Sequence, residues 1–261
     1  MKPSAPVPGG PCWVELSTSD IPAATSFYAA LFGWRPETDP REEAGGYTMA
    51  HLGNARVAAL SPIYQPGQPT AWTVSFACEN TDAAAEAVRS AGGSLLVGPM
   101  DVFDQGRFAV VADPSGAVFA LWQARAFAGA ERLNDPGALG WVELVTHEAA
   151  PALAFYPAVL GWTVNTASKS YPQWGVAGQD FGGMVIMDDR FAPDAPPHWV
   201  PYFAVRDVDA TAATAQGAGG EPLMPPTNVP GGPRIAVIRD PQGAVFGIHR
   251  GGPASGPAAG T

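Results

Sequence analysis

Cys12-Trp13-Val14-Glu15-Leu16, followed by Asp20-Ile21-Pro22, Phe27-Tyr28 and Phe32-Gly33-Trp34, returns as Gly140-Trp141-Val142-Glu143-Leu144, Glu148, Phe155-Tyr156 and Leu160-Gly161-Trp162. Trp13 to Trp141 is a shift of 128 residues, as is Trp34 to Trp162. The block Arg107-Phe108-Ala109-Val110-Val111-Ala112-Asp113-Pro114-Ser115-Gly116 returns as Arg234-Ile235-Ala236-Val237-Ile238-Arg239-Asp240-Pro241-Gln242-Gly243, with a shift of 127 from Asp113 to Asp240. A near-constant shift over nearly the whole chain means that an entire domain is duplicated. The period is too long for a solenoid, whose units run about 20–50 residues.

Each copy divides again. Trp13 to Thr18 alternates apolar and polar, as a half-buried strand does. Ser19 or Asp20 can cap a helix with Pro22 in its first turn, Ala24, Phe27, Tyr28 and Leu31 give it one apolar face, and Gly33 is placed to end it. Three short strands follow, near 35–38, 47–52 and 56–60. After a proline-rich loop the order repeats: a strand at 71–77, an alanine-rich helix at 81–91 stopped by Gly92-Gly93, then strands near 95–97, 107–112 and 117–123, the last two joined by Asp113-Pro114-Ser115-Gly116. The spacing therefore predicts an α+β chain of four strand–helix–strand–strand–strand modules. Pro157 falls where the first copy has Ala29, and an interior proline costs roughly 3 kcal/mol. A kinked or shortened helix is expected there.

Composition narrows the function. Of 261 residues, 46% are hydrophobic and 15% charged, as in a globular protein. The formal charge of −10 repels phosphate backbones, so nucleic acid is excluded as a partner. No apolar run approaches the roughly 18 residues of a membrane span, and the first ten residues lack a signal-peptide core, so a cytoplasmic protein without a membrane partner is expected. Cys12 and Cys78 read as two thiols rather than a disulfide framework.

Four such modules, with Phe-Tyr and Gly-Trp closing the first helix of each copy and Asp-Pro-x-Gly before the last strand, resemble the vicinal-oxygen-chelate superfamily of glyoxalase I, bleomycin-resistance proteins and extradiol dioxygenases. The match looks closest to two-domain actinobacterial proteins described as glyoxalase-like or "hydroxylase". The resemblance implies paired modules curling into two tandem half-open-barrel domains, each with a cavity. The expected boundaries are a disordered tail at 1–10, glyoxalase-like domains at 11–123 and 139–250, a linker at 124–138 and a disordered tail at 251–261. Duplication within one chain makes a monomer the simplest assembly.

Metal enzymes of the superfamily place His, His and Glu on the first, fifth and eighth strands of a domain. The resemblance lays those positions on Trp13, roughly Thr73 and Ala120, and on Trp141, roughly Val200 and Gly247. None of these can ligate a metal. Glu143, His198 and His249 lie two residues from the second set, and strand alternation points them to the same face. They are therefore the alternative site for Fe(II) or Zn(II).

Three readings follow. In the first, Trp13, Trp122 and Trp141 line metal-free slots for a hydrophobic aromatic ligand, polyketide- or antibiotic-like, in self-resistance or biosynthesis. Arg107, Arg234 and His249 join them as ligand-binding candidates. In the second, Glu15 or Glu143 is the acid/base of a cyclase, isomerase or hydratase, unless each carboxyl is simply paired with Arg107 or Arg234. The third is the shifted metal site. The residues leave open whether the chain is a binder or an enzyme.

Overall fold

The computed structural model describes residues 6–168 and 170–250. The first module runs β1 (Pro11–Thr18), α1 (Ile21–Phe32), β2 (Arg35–Thr38), β3 (Thr48–Leu52) and β4 (Ala55–Pro62). The second runs β5 (Ala71–Ala77), α2 (Thr81–Ser90), β6 (Ser94–Val102), β7 (Gly106–Ala112) and β8 (Val118–Ala124). The third comprises β9 (Leu139–Thr146), α3 (Ala149–Leu160), β10 (Thr163–Asn165), β11 (Gln173–Val176) and β12 (Gln179–Ile186). The fourth comprises β13 (His198–Val205), α4 (Val208–Gly217), β14 (Glu221–Asn228), β15 (Arg234–Arg239) and β16 (Val245–Arg250).

Modules pair into two eight-stranded sheets, ordered β2-β3-β4-β1-β5-β8-β7-β6 and β10-β11-β12-β9-β13-β16-β15-β14. β1 meets β5 antiparallel and β5 meets β8 parallel, and β9, β13 and β16 repeat this arrangement. Each sheet stays open, giving the two half-open barrels.

The period of two decides which face each side chain takes. Val14, Leu16, Val74 and Phe76 are buried on the helix side, in a core that also contains Leu144, Phe203 and Phe246. Trp13 belongs to a separate cluster on the helix-free face, with Ala59, Ala77 and Phe127. The main core is therefore shared by both domains. α1 packs on α4 and α2 on α3. The Phe76 ring lies 4.9 Å from Trp162 and 5.3 Å from Trp199, edge to face. Phe203 returns the arrangement against Trp34 at 5.4 Å and Trp72 at 5.2 Å.

The caps form where the sequence places them: Asp20 accepts from the Ala23 N–H at 2.9 Å, and Gly33 takes the left-handed conformation that ends α1. Two expectations are corrected. α3 is not shortened by Pro157: it has 12 residues, as α1 has, although the proline forfeits one N–H bond to the preceding turn, and the Pro157 carbonyl still accepts from the Gly161 N–H that ends the helix. Gly9 and Gly10 are not loose: the Gly9 N–H donates to Ala77 at 2.7 Å, and the Gly9 carbonyl accepts from Trp162 Nε1 at 2.6 Å. The expected tail at 251–261 lies outside the described residues, as do residues 1–5.

Candidate functional site

The helix-free faces carry the candidate residues, and pairing registers sort them into rows. In the first domain Glu15 lies between Thr73 and Ala59, and Trp13 lies opposite Ser75, which is itself opposite Ala120. In the second, Glu143 lies between Val200 and Gly183, while Trp141, Tyr202 and Gly247 form the next row. The residues level with the two tryptophans are thus Ser75 and Tyr202, one pleat from the Thr73 and Val200 that the resemblance implies.

Both floors hold the same chain of polar groups. Trp141 Nε1 donates to Tyr171 Oη at 2.9 Å, and Tyr171 Oη donates to Glu143 Oε2 at 2.8 Å. Tyr202 Oη donates to Glu143 Oε1 at 2.9 Å. Trp13 Nε1 donates to Tyr47 Oη at 3.3 Å, and the Tyr47 and Ser61 hydroxyls act on the Glu15 carboxyl to lower its pKa. Burial pushes both carboxyls above their ordinary range, and the hydroxyl donors only partly offset it. Each floor therefore presents an indole–phenol–carboxyl relay whose acid is biased toward its protonated form.

Tyr47, Tyr171 and Tyr202 are functional candidates that sequence reasoning missed. Tyr47 and Tyr171 precede β3 and β11 in loops of different length, so they do not share the 128-residue shift. Tyr202 has no tyrosine counterpart, since Ser75 takes its place. The weak signal available was the glycine at 183 and at 247. A Cβ at Gly183 would strike the Tyr171 ring, and one at Gly247 the Tyr202 ring.

The indole slot expected in the first domain holds the chain's own ring. Phe127 sits edge-on to Trp13 at 4.8 Å and lies 5.9 Å from Trp122, whose Nε1 donates to the Phe127 carbonyl at 3.0 Å. The segment expected as a linker is tied down here: the Ala130 N–H donates to Cys12, and the Glu131 carboxylate pairs with Arg56 at 3.0 Å. Trp13 is left only 5% exposed, whereas Trp141 is partly exposed.

Arg107 and Arg234 do not reach the carboxyls. Arg107 pairs with Asp82 and Asp101 at 2.9 Å each, and Arg234 with Asp209 at 2.6 Å. The reason is parity: Ala109, Val111, Ala236 and Ile238 face the core, and the period of two puts both arginines on that helix side. They are therefore also off the cup face as ligand-binding candidates.

The shifted metal set is likewise not brought together. β13 and β16 run parallel, so two residues back on one and two forward on the other move in opposite directions. His249 pairs with Ala204, whereas His198 pairs with Val145, six residues earlier on β13. That separates the imidazoles' strand positions by roughly 20 Å, at about 3.3 Å per residue. His198 Nδ1 bonds the Pro196 carbonyl at 2.8 Å, and His249 Nε2 is buried over Gly140 without a partner. Burial lowers the His249 pKa. Among the described residues no three His, Cys, Asp or Glu side chains cluster as a metal site.

The rows also fail as a metal centre on their own chemistry. Trp13, Ser75 and Ala120 offer an indole, a hydroxyl and a methyl, and Trp141, Tyr202 and Gly247 offer nothing better. Both oxygens of Glu143 accept phenol hydrogen bonds. This donor set does not fit a divalent ion. The thiols form no disulfide, and Cys12 is buried. No helix among the described residues is long and apolar enough to cross a membrane.

The sequence model of the Glyoxalase/Bleomycin resistance protein/Dioxygenase superfamily matches residues 11–121 and 138–248. The chain is 39% identical over 253 residues to the "Putative glyoxylase CFP32" of Mycobacterium tuberculosis, covering 94% of this chain and 96% of that protein. It is also 39% identical over 258 residues to the "Anthracycline biosynthesis protein DnrV" of Streptomyces peucetius, covering 92% and 93%. The 2,3-dioxygenase LapB of Pseudomonas sp. KL28 superposes with a TM-score of 0.67 at 12% identity, over 98% of this chain and 97% of that one. A Mn(II)-bound glyoxalase from Novosphingobium aromaticivorans does so with a TM-score of 0.65 at 17% identity, over 94% and 82%. These two structures share the fold.

Proposed function

Because the chain belongs to the glyoxalase/bleomycin resistance protein/dioxygenase superfamily, we propose that it keeps the superfamily's cup and uses it without a metal, to bind a hydrophobic aromatic small molecule in natural-product biosynthesis. The observation that carries this reading is the indole–phenol–carboxyl relay standing where metal relatives would need ligands. A carboxyl whose pKa burial raises, beside phenol and indole groups, recognises hydroxyl and carbonyl oxygens. The described role of the Streptomyces peucetius relative in anthracycline biosynthesis supports an aromatic ligand of that general kind. The test is titration of the purified protein with 1,8-dihydroxyanthraquinone, followed by tryptophan fluorescence. Saturable quenching is expected. A flat titration, or binding that requires added Fe(II), Mn(II) or Zn(II), would overturn the reading.

One observation favours a second reading, an acid/base enzyme acting on such a compound. Burial raises the pKa of both Glu15 and Glu143, the direction that acid/base work by a carboxyl requires. Turnover of a ligand by the wild type that survives Glu15→Gln and Glu143→Gln would remove this reading.

A further inference from the structure

The two cups share a fold and a relay, but the residues around the relay differ in one direction. Ser17, Ser61, Thr73 and Ser75 surround Glu15. Their counterparts by pairing register around Glu143 are Val145, Val185, Val200 and Tyr202. Three hydroxyls have become isopropyl groups, and the fourth has become a ring lying over Gly247 with its own hydroxyl bound to Glu143. We infer that the ligand site is in the first domain alone, beside Glu15, and takes a neutral, planar, hydroxylated aromatic molecule, whereas Tyr202 fills the equivalent space of the second domain. This rests on the proposed binding function and says which copy performs it.

Three features say what the site would hold. Its polar end is a connected set: Gln68 Nε2 donates to Ser17 Oγ at 2.8 Å, and Ser17 and Ser61 hydroxyls lie 3.4 Å apart. Neutral hydroxyls that can donate or accept match phenol and carbonyl oxygens better than a fixed charge does. Ser75 and Ala120 face each other across β5 and β8 with small side chains, where the second domain has the Tyr202 ring beside Gly247. The apolar side is Val118 of β8, two residues before Ala120 on the same face and 39% exposed. An exposed apolar side chain beside hydroxyls on a concave sheet suits the edge of an aromatic ring. Phe127 closes the Trp13–Trp122 end of the same cup, so the ligand meets Val118 and the hydroxyls rather than the indoles.

Isothermal titration of the full chain with 1,8-dihydroxyanthraquinone reads both number and location of sites. One site per chain is expected. Ser75→Tyr, which copies the second domain, is expected to weaken binding at least about tenfold, equivalent to about 1.4 kcal/mol. The pair Ser61→Val with Thr73→Val, of which the second is isosteric, tests the same cup with less steric demand than a tyrosine, and it too is expected to weaken binding about tenfold. Val200→Thr in the second domain is expected to leave affinity unchanged. Thermal unfolding of each variant identifies any that fail to fold. Two sites in the wild type would overturn the assignment, as would affinity that falls with Val200→Thr and survives the Ser61→Val, Thr73→Val pair. No saturable binding to the wild type would instead overturn the binding function itself.

Discussion

The Tyr28 hydroxyl donates to Asp240 at 2.9 Å, although the two residues are 212 positions apart and belong to different domains. Tyr156 donates to Asp113 at the same distance, so the contact is made twice about the internal repeat. The other oxygen of each aspartate builds its own turn: Asp113 Oδ1 accepts from the Ser115 and Ala117 N–H groups, and Asp240 Oδ1 from those of Gln242 and Ala244. The Phe-Tyr and Asp-Pro-x-Gly repeats therefore make one device, which fastens each domain's helix to the other's hairpin turn. Tyr28→Phe leaves a buried carboxyl oxygen without its donor and removes the acceptor of Trp72 Nε1. A loss of about 1–3 kcal/mol is expected, read by urea denaturation with an unchanged m value. A loss below about 0.5 kcal/mol would show that the contact is incidental.

The shared core makes the halves interdependent. A chain ending at 138 would expose Phe76, which Trp162, Trp199 and Phe181 otherwise cover. The expected outcome is an insoluble or molten fragment, and for the intact protein a single calorimetric transition with matching van't Hoff and calorimetric enthalpies. Two resolved transitions would refute it.

Glu143 gives a pH dependence of definite sign. Its folded-state pKa is raised, chiefly by burial, so the fold holds the proton more tightly than the unfolded chain does. That contribution is complete below the unfolded value of about 4.3 and is lost as pH rises through the raised folded value. Glu143→Gln lacks the titration. The stability of the wild type relative to this variant is therefore expected to fall as pH rises above about 4.3. The comparison is made by chemical denaturation at a series of pH values, and a difference constant from pH 4 to 8 would contradict it.

Gly247 and Tyr202 should behave as one unit. A methyl group at position 247 collides with the Tyr202 ring, so Gly247→Ala is expected to cost about 1–3 kcal/mol. Adding Tyr202→Ser removes the collision, and the double variant should be more stable than the sum of the two single changes predicts. Simple additivity in a double-mutant cycle would mean that the ring does not occupy that space.

Duplication, the four modules, the cap and stop of α1 and the alternation of β1 were legible in the chain, because repeats and alternation are local patterns that hydrophobic burial enforces. The parity of Arg107 was misread because a strand's inner face is known only once its neighbours Ala109 and Val111 are seen to face the core. Glu143, His198 and His249 share a face in the sequence pattern, but parallel pairing of β13 with β16 carries the histidines to opposite ends of it. The relay tyrosines were hidden because Tyr47 and Tyr171 reach their carboxyls from loops that break the repeat.

The amino-acid order alone determined a twice-duplicated α+β chain with an indole, Trp13 or Trp141, in the first strand of each copy, since residue type and spacing are local properties. Tertiary structure decided what those indoles do. It placed Phe127 against Trp13 and Tyr202 over Gly247, so that two cups of the same ancestry are filled in different ways. Such filling depends on volume and on contacts between distant segments, and no repeat or motif encodes either.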